Sequence, residues 1–401
     1  MPYTRCIYPL TINRYTSRAN NELRSNTIMS CIAPLSSILT QYLIAISIVL
    51  LSFSGHADIL LGTSNAQKGP SAKLGQDLNL GAEMYFDVVN QQGGIHGHNI
   101  YLLKLDDGYE PLNTVHNTKL LLEHNIVGLF NYVGTPNSKA VLPLIKRVGQ
   151  LLITPFTGAD ILRNAPIADV FNLRASYEQE AFAQIDYLVE ILDLDTFGMV
   201  IQADAFGLAL EKYYRAALKN KGHKPLVSIR YRRNTIDIDK AAKQLREANV
   251  KAVLFVGTYE PLIALIDRGK SVQFMPIYSS VSFVSSQTLF NRLSVTDSRD
   301  VRVIVTEVVP SPLTCQQKIC SQFREHATHN KLENPNHVHF EGYLNAVYVS
   351  EALKSCSPPV TRACLKETLE GFRTQDPETR GQVVSDVLQL MGQVHISARN
   401  P

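Results

Sequence analysis

A pattern of strands alternating with helices, which runs through the chain twice, most constrains how this sequence can fold. Short apolar segments such as Ile59–Gly62 and Ile126–Tyr132 alternate with segments whose apolar residues recur at helical spacing, and the alternation starts again at Tyr177. Strands that alternate with helices form parallel sheets with helices on both faces. A chain of 401 residues is also too long for one small core. The sequence therefore predicts an α/β protein with two Rossmann-like lobes.

The segment Leu151–Ser176 connects the two halves of this pattern. Leu151–Thr154 is strand-like and stops at Pro155, a loop of small and aromatic residues follows, and Val170–Arg174 is strand-like again. Ligands on parallel sheets bind beyond the carboxyl ends of the strands. We therefore expect this segment to end the first lobe, to line a ligand cleft and to carry the chain into the second lobe.

Two later segments complete the predicted lobes. Val301–Val309 is a strongly β-branched strand that ends at Pro310, and we interpret it as a second crossover between the lobes. Gln382–Ile396 is expected to form a pair of strands that packs on the second lobe. The first lobe is predicted to comprise residues 58-174 and 311-372, the second lobe residues 175-300 and 373-401, and the crossover strand residues 301-310.

The first 57 residues, 1-57, have the features of a secretory signal peptide. Four arginines and one glutamate precede the apolar run Tyr42–Leu51, and Ser54-Gly55-His56-Ala57 places small residues where a signal peptidase recognises them. The run is short for a membrane span, so a permanent anchor is the weaker interpretation. We expect cleavage after Ala57, and Met29 is an alternative start that leaves a more ordinary leader.

The excess of basic residues belongs to this leader. The full chain has 39 Lys and Arg against 36 Asp and Glu, and 35 of each remain without the four arginines and one glutamate of the leader. A mature chain with no net charge has no electrostatic footprint for nucleic acid. We therefore expect no nucleic-acid partner.

Four cysteines follow the leader, namely Cys315, Cys320, Cys356 and Cys364. An even number of cysteines in an exported protein favours disulfides. Three pairings are possible, and we prefer Cys315 with Cys320 and Cys356 with Cys364 because each pair closes a short loop beside a predicted helix. A zinc site with nearby histidines is the alternative, although the cysteine spacing differs from that of a standard zinc finger.

Signatures of common enzyme classes are missing from the sequence. It contains no G-x-S-x-G elbow, no H-E-x-x-H motif and no G-x-G-x-x-G after the first strand. Gly269-Lys270-Ser271 resembles the end of a phosphate-binding loop, but Ala264 stands where that loop requires glycine. A cleft whose residues do not have the spacing of a catalytic motif indicates binding rather than turnover. We therefore predict a protein that is not an enzyme and has no cofactor or bound metal.

Candidate ligand contacts follow the predicted strands. Thr135 begins a helix, where its hydroxyl and free N–H groups can bind a carboxylate or where it acts only as an N-cap. Thr157 and Gly158 are expected opposite, with a simple turn as the alternative. Asp204 is a candidate for a ligand ammonium, although an Asp before a helix is more often a cap. The full set of predicted ligand-binding residues is Thr135, Asn137, Phe156, Thr157, Gly158, Asp204, Phe206, Tyr259, Tyr278 and Ser280.

Several short segments together resemble a known family. They are Gly62–Ser64 with Gly69-Pro70 and Gly75, Asn90–Gly97, Asp106–Pro111, Pro155–Ala159, Val170–Tyr177, Arg233–Thr235, Val256–Tyr259 and Glu341–Tyr343. They cover nearly all of residues 58–370 in order. On these segments the mature chain resembles the leucine/isoleucine/valine-binding protein family, the type I periplasmic solute-binding proteins of ABC importers.

The resemblance implies two lobes that are joined by three hinge crossovers and close on a ligand. In the family a hydroxyl residue after the third strand and residues after the fourth hold the α-carboxylate of the ligand, and these positions fall on Thr135 and on Thr157-Gly158. A family tyrosine falls on Tyr259. The acid that usually holds the ligand ammonium has no counterpart in Pro276–Ser280, and Asp204 is a hypothetical substitute.

These observations predict a periplasmic solute-binding protein of an ABC importer. It would capture a small polar ligand, an amino acid or a related compound, in the cleft between the lobes by hinge closure. The alternative is a periplasmic sensor that signals to a membrane receptor, kinase or cyclase, because the same fold serves both functions. The expected partners are the small-molecule ligand and the ABC permease, and the mature chain is expected to be a monomer.

Overall fold

The strands of the protein form two separate sheets. The computed structural model describes residues 58–163, 169–296, 298 and 300–400. The predicted signal peptide lies outside these residues. Within the described ranges the strands are β1 (Ile59–Asn65), β2 (Ile100–Asp106), β3 (Ile126–Phe130), β4 (Leu152–Ile153), β5 (Val170–Phe171), β6 (Phe197–Gln202), β7 (Pro225–Tyr231), β8 (Ala252–Val256), β9 (Ile277–Ser280), β10 (Val303–Glu307) and β11 (His395–Arg399).

Both sheets are built almost wholly from parallel strands. The first has the order β2-β1-β3-β4-β5, and its described strand pairs are all parallel. The second has the order β11-β10-β9-β8-β6-β7, in which only β10 and β11 run antiparallel. Strand β8 is buried along its whole length, whereas alternate residues of the edge strand β7 are exposed. The predicted α/β fold with two parallel sheets is confirmed.

Helices cover both faces of each sheet. Within the described ranges they are α1 (Ala72–Gln91), α2 (Pro111–Leu122), α3 (Thr135–Val148), α4 (Tyr177–Asp186), α5 (Ala205–Asn220), α6 (Asp239–Glu247), α7 (Tyr259–Ser271), α8 (Ser286–Ser294), α9 (Lys318–His329), α10 (His337–Lys354), α11 (Arg362–Thr374), α12 (Pro377–Arg380) and α13 (Gln382–Met391). Helices α1, α10, α11 and α13 share a core with one face of the first sheet, and helices α6, α7 and α8 share another with one face of the second. No helix of the described residues combines the length and the apolar character that crossing a membrane requires.

Side-chain caps set the beginnings of several helices. Ser176 and Gln179 form a capping box at the start of α4, and Asn336 and His339 form another at the start of α10. Each cap satisfies backbone N–H groups that have no partner within the first turn. The capping box at Ser176 therefore fixes the point where the chain enters the second sheet's helices.

The prediction of two strands in Gln382–Ile396 was wrong. Residues Gln382–Met391 form helix α13, and only the segment that follows, His395–Arg399, is a strand. Val384, Val387 and Leu390 recur at helical spacing and are buried in the core of the first sheet. The β-branched start of this segment favoured a strand, but burial of one helical face decided its structure.

The segment expected as a second crossover is partly a strand of the second sheet. Val303–Glu307 forms β10, which pairs with β9 and β11. Val309, two residues after the strand, already belongs to the core of the first sheet. The chain therefore passes from one sheet to the other directly after Glu307.

Both preferred disulfides are present. Cys315 is bonded to Cys320, with 6.0 Å between their Cα atoms, and Cys356 is bonded to Cys364, with 5.8 Å. The second bond joins the end of α10 to the beginning of α11. The zinc alternative required cysteine thiolates as ligands, and these disulfides leave none of the four available.

Candidate ligand-binding site

Loops that follow strands of the two sheets meet in one place. Tyr109 follows β2 and Phe156 follows β4 in the first sheet, whereas Phe206 follows β6 and Phe283 follows β9 in the second. These four side chains belong to one buried core that spans both sheets. The structure thus brings the carboxyl ends of the two sheets together, where parallel sheets bind ligands.

Five rings form an aromatic cluster at this meeting point, defined here as Tyr109, Phe156, Tyr177, Phe206 and Phe283. The ring of Phe283 is centred 4.7 Å from that of Phe206, 5.5 Å from that of Phe156 and 6.0 Å from that of Tyr109. Tyr177 lies 5.3 Å from Phe206. These separations are typical of favourable aromatic pairs. Phe283 therefore contacts rings from both sheets.

Three hydroxyl groups lie beside the aromatic cluster, and we call Thr135, Thr157 and Tyr177 the hydroxyl cluster. The Oγ1 atoms of Thr135 and Thr157 are 2.7 Å apart, and Thr157 donates to the hydroxyl of Tyr177 at 3.1 Å. All three side chains are buried, and Thr135 is the first residue of α3. Hydroxyls and first-turn N–H groups at one point form a chemical environment suited to a carboxylate.

Two other predicted residues support this region from inside the first lobe. Asn137 donates from Nδ2 to Thr114 Oγ1 at 2.8 Å and to Asp107 Oδ2 at 3.3 Å. The carbonyl of Gly158 accepts from the backbone N–H of Tyr177 at 2.9 Å. A Cβ atom at position 158 would lie 2.7 Å from that nitrogen, so only glycine allows this close approach. Both residues hold the loops that carry the hydroxyl cluster.

Asp204 caps helix α5. Its Oδ1 atom accepts from the backbone N–H groups of Phe206 and Gly207, and Gln202 donates to Oδ2 at 2.7 Å. The guanidinium of Arg233 lies 3.6 Å from Oδ2. The carboxylate is therefore engaged by protein groups, which matches the capping alternative for this residue.

The remaining predicted residues lie away from the aromatic cluster. Tyr278 is buried in the core that also contains α7, and a Cβ on Gly269 of that helix would lie 2.3 Å from its hydroxyl. Ser280 donates to the carbonyl of Phe255 at 2.9 Å. Tyr259, the first residue of α7, is half-buried and lines an open pocket of about 630 Å³ together with Lys73 of α1. Of these three residues, Tyr259 lines this pocket.

Sequence reasoning missed a group of charged residues that lies beneath the aromatic cluster. We call Arg174, Glu180, Glu307 and Glu341 the buried charge cluster, and each is 3 % exposed or less. Arg174 donates from Nε to Glu341 at 2.9 Å, and its Nη1 atom lies 3.6 Å from Glu180. Its guanidinium also lies 4.0 Å from the ring centre of Phe156. The cluster thus connects the chain segment between the sheets with helices α4 and α10.

A polar contact joins loops of the two sheets beside Tyr109 of the aromatic cluster. Arg233, which follows β7, donates to Glu110, which follows β2, at 2.6 Å. The side-chain amide of Asn234 donates to the other oxygen of Glu110 at 2.7 Å and to the carbonyl of Gly108 at 3.0 Å. These bonds hold the loops around the aromatic cluster in contact.

Comparison with known proteins decides the family. The family described as periplasmic binding protein matches residues 58–396, which is most of the chain. This chain belongs to the periplasmic binding protein family. A solved substrate-binding periplasmic protein from Ralstonia solanacearum is similar to this binding protein with a TM-score of 0.76 and 25% identity, over 86% of this chain and 98% of the other.

Other relatives are of the leucine/isoleucine/valine-binding type. A possible leucine/isoleucine/valine-binding protein from Rhodopirellula baltica superposes with a TM-score of 0.72 and 29% identity, over 78% of this binding protein and 86% of the other chain. An amino acid binding protein from Pseudomonas aeruginosa is 25% identical over 57% of this chain and 63% of its own length. A Leu/Ile/Val-binding protein homolog from Brucella melitensis is 27% identical over 51% and 55%. The matches to these two curated relatives therefore span less than two thirds of their lengths.

Tyr109, Tyr177 and Phe283 belong to the candidate site of this binding protein, and sequence reasoning did not select them. Tyr109 and Tyr177 stood inside segments used for the family resemblance, and Phe283 follows β9 within an apolar run. Aromatic residues just after a strand of a parallel sheet are a usable signal for a cleft. That signal, applied to β9, would have selected Phe283 in place of Tyr278.

The stability of this binding protein is expected to depend on pH through Glu307. Burial raises the pKa of Glu307 to about 7, although hydrogen bonds from Ser286 oppose the shift. Between pH 4.5 and 7 the folded protein keeps a proton that the unfolded chain releases, so this group's contribution to stability falls as pH rises. The loss is about 1.4 kcal/mol per pH unit, or about 3 kcal/mol across the window. Denaturant unfolding of Glu307→Gln and wild type from pH 4.5 to 7.5 measures it.

The neighbouring residue His337 also contributes to the pH dependence. Burial lowers the pKa of His337 to about 4, so acidification below pH 6.5 destabilises the folded state through this residue. Because its Nδ1 atom lies 3.6 Å from Oε1 of Glu307, the two residues are coupled, and the same comparison is repeated in a His337→Gln background. A difference in unfolding free energy that stays constant over the window would contradict the prediction, and Glu325→Gln, at an exposed position, is the control.

Proposed function

We propose that this binding protein captures a small carboxylate ligand, an amino acid or a related compound, between its lobes and delivers it to the permease of an ABC importer. The hydroxyl cluster carries this proposal, because it places three buried hydroxyls at the first turn of α3 where the sheets meet. Amino-acid binding by the relatives from Pseudomonas aeruginosa and Brucella melitensis, as their names state, supports the same ligand class.

The proposed mechanism is hinge closure without chemical conversion. The aromatic cluster and the contact between Glu110 and Arg233 hold the two lobes together. A ligand that contacts both lobes stabilises this arrangement relative to one in which the lobes are apart. The lobes are proposed as residues 58–174 with 311–391 and 175–300 with 395–401, because helix α13 packs in the core of the first sheet whereas β11 pairs with β10 of the second. The mature protein is proposed to be a periplasmic monomer cleaved after Ala57.

The proposed ligand contacts fall into two groups. Thr135, Thr157, Phe156 and Phe206 are proposed to contact the ligand, because they line the meeting point of the lobes. Tyr259 is proposed to contact its outer part. Asn137, Gly158, Asp204, Tyr278 and Ser280 are proposed to position the surrounding loops and strands.

A thermal-shift screen of the mature protein over amino acids, amides, polyamines and aromatic acids tests the proposal. At least one compound is expected to raise Tm, because a ligand at about 100-fold its Kd adds about 2.7 kcal/mol to stability. Thr157→Val keeps the volume but removes one hydroxyl, and we expect it to weaken binding about tenfold. Thr118→Val removes a buried hydroxyl that lies between Thr114 and Tyr132, and it is expected to leave the affinity unchanged.

Two results would contradict the proposal. A flat response of the wild-type protein across the whole screen would remove the support for ligand capture. Equal affinities of wild type and Thr157→Val for the same compound would show that a ligand binds elsewhere.

A further inference from the structure

We propose that the ligand of this site is an aromatic carboxylic acid without an ammonium group. This inference rests on the proposed function and specifies its ligand class. Three observations support it: the rings of the aromatic cluster, the position of the hydroxyl cluster beside them, and the bonds that Asp204 and Glu180 form to other protein groups.

The site already accommodates a phenyl ring. Phe283 is fully buried and contacts Tyr109 and Phe156 of the first lobe and Phe206 of the second. Separation of the lobes would part Tyr109 and Phe156 from Phe206 and Phe283, and we propose that a flat ligand enters between these two pairs of rings. Offset and edge contacts between rings then add to the burial of apolar area, and an aliphatic side chain does not gain this contribution.

The carboxylate position lies directly beside these rings. Thr157 follows Phe156 in the chain, and Tyr177 belongs to both the aromatic and the hydroxyl clusters. Ser138, in the first turn of α3, is fully buried and its hydroxyl has no hydrogen-bond partner within the described residues. A carboxyl group attached to a ring directly, or through one carbon, fits this short separation between clusters.

Asp204 and Glu180, two described acids near the clusters, already have protein partners. Asp204 is engaged by the helix α5 N–H groups, Gln202 and Arg233. Glu180 accepts at Oε2 from the N–H and the hydroxyl of Ser282, and its Oε1 atom is paired in charge with Nη1 of Arg174 at 3.6 Å. The segment after β9, residues 281–285, contains no acid. An α-amino acid would therefore bury its ammonium without a carboxylate to compensate it, and we expect its affinity to be more than a hundredfold lower.

A quaternary ammonium, which aromatic rings can bind without an acid, is also disfavoured. The guanidinium of Arg174 already lies 4.0 Å from the centre of Phe156, and that of Arg233 lies 5.6 Å from the centre of Tyr109. Phe156 and Tyr109 thus each have a guanidinium group within 6 Å of the ring centre, and this positive charge would repel a cationic ligand. An uncharged ring with a carboxylate meets neither difficulty.

Calorimetric titration of the mature protein with benzoate, phenylacetate, benzamide, leucine and glycine betaine tests the inference. Benzoate or phenylacetate is expected to bind saturably, and benzamide about tenfold more weakly because it lacks the charged acceptor. Phe283→Leu removes the ring but keeps an apolar side chain, and it should weaken binding of the aromatic acid about fivefold. Phe290→Leu, on α8 and outside the cluster, should not change it.

The outcomes separate this inference from the proposed function. Binding of leucine or glycine betaine without binding of either aromatic acid would overturn the inference and leave the proposed function standing. No binding of these probes, together with a flat response in the wider screen, would overturn both. Equal effects of Phe283→Leu and Phe290→Leu on benzoate binding would overturn the placement of the ring.

Discussion

Replacing Arg174 by methionine is expected to lower the free energy of unfolding by about 3–5 kcal/mol. The guanidinium of Arg174 lies 2.9 Å from the carboxylate of Glu341 and 3.6 Å from that of Glu180, and all three side chains are buried. Methionine fills a similar volume but leaves the two carboxylates without a counter-charge. Each must then remain charged in a low-dielectric interior or take up a proton, and both alternatives cost free energy.

Denaturant-induced unfolding at pH 7 measures this effect, with Arg268→Met as the control. Arg268 of α7 pairs with Asp239 of α6 at 3.1 Å, and their side chains are 45% and 71% exposed. Exposed ion pairs contribute about 0–1 kcal/mol. Equal destabilisation by the two substitutions would contradict the account, because it would show that the buried charge cluster is no more important than a surface pair.

Gly342→Ala is expected to destabilise the protein by about 3 kcal/mol. Helices α1 and α10 cross with their backbones in close contact, and a Cβ atom at position 342 would lie 2.0 Å from the carbonyl oxygen of Leu78. Gly81 faces α10 in the same way, because a Cβ atom at this position would lie 1.9 Å from the carbonyl oxygen of His339. A methyl group at either position forces the two helices apart. Because α10 also carries Glu341, the shift would disturb the buried charge cluster.

The control for this substitution is Gly371→Ala on α11. A Cβ atom there would meet only the flexible end of Gln375, at 3.1 Å. Alanine favours a helix interior over glycine by about 0.5–1 kcal/mol, so this variant should be slightly more stable than wild type. Thermal and denaturant unfolding should show a lower free energy of unfolding for Gly342→Ala and a slightly higher one for Gly371→Ala. An unchanged free energy of unfolding for Gly342→Ala would contradict the close crossing of helices α1 and α10.

The sequence predicted those features that depend on local patterns. Apolar strands of four to seven residues, alternating with helical periodicity, predicted both sheets, and short loops beside helices predicted both disulfides. The start of α13 was mistaken for a strand because Val383-Val384 has high β propensity, while the burial that makes it helical comes from α10 and the first sheet.

The composition of the cleft depends on contacts that no local pattern reports. Thr135 and Thr157, 22 positions apart, were expected to lie opposite each other and are 2.7 Å apart. Phe283 reaches Tyr109 only because the two lobes meet, and Arg174 reaches Glu341 across 167 positions. Such distant pairs follow from the packing of the lobes, and a single sequence contains no signal that specifies them.

We infer that a small ligand, bound at the hydroxyl and aromatic clusters, favours the arrangement in which the two lobes are in contact. Small-angle scattering of the mature protein, with and without the compound that raises Tm most in the screen, tests it most directly. We expect the radius of gyration to fall on saturation, and Thr157→Val to require about ten times more compound for the same change. Identical scattering profiles of the free and saturated wild-type protein would contradict it.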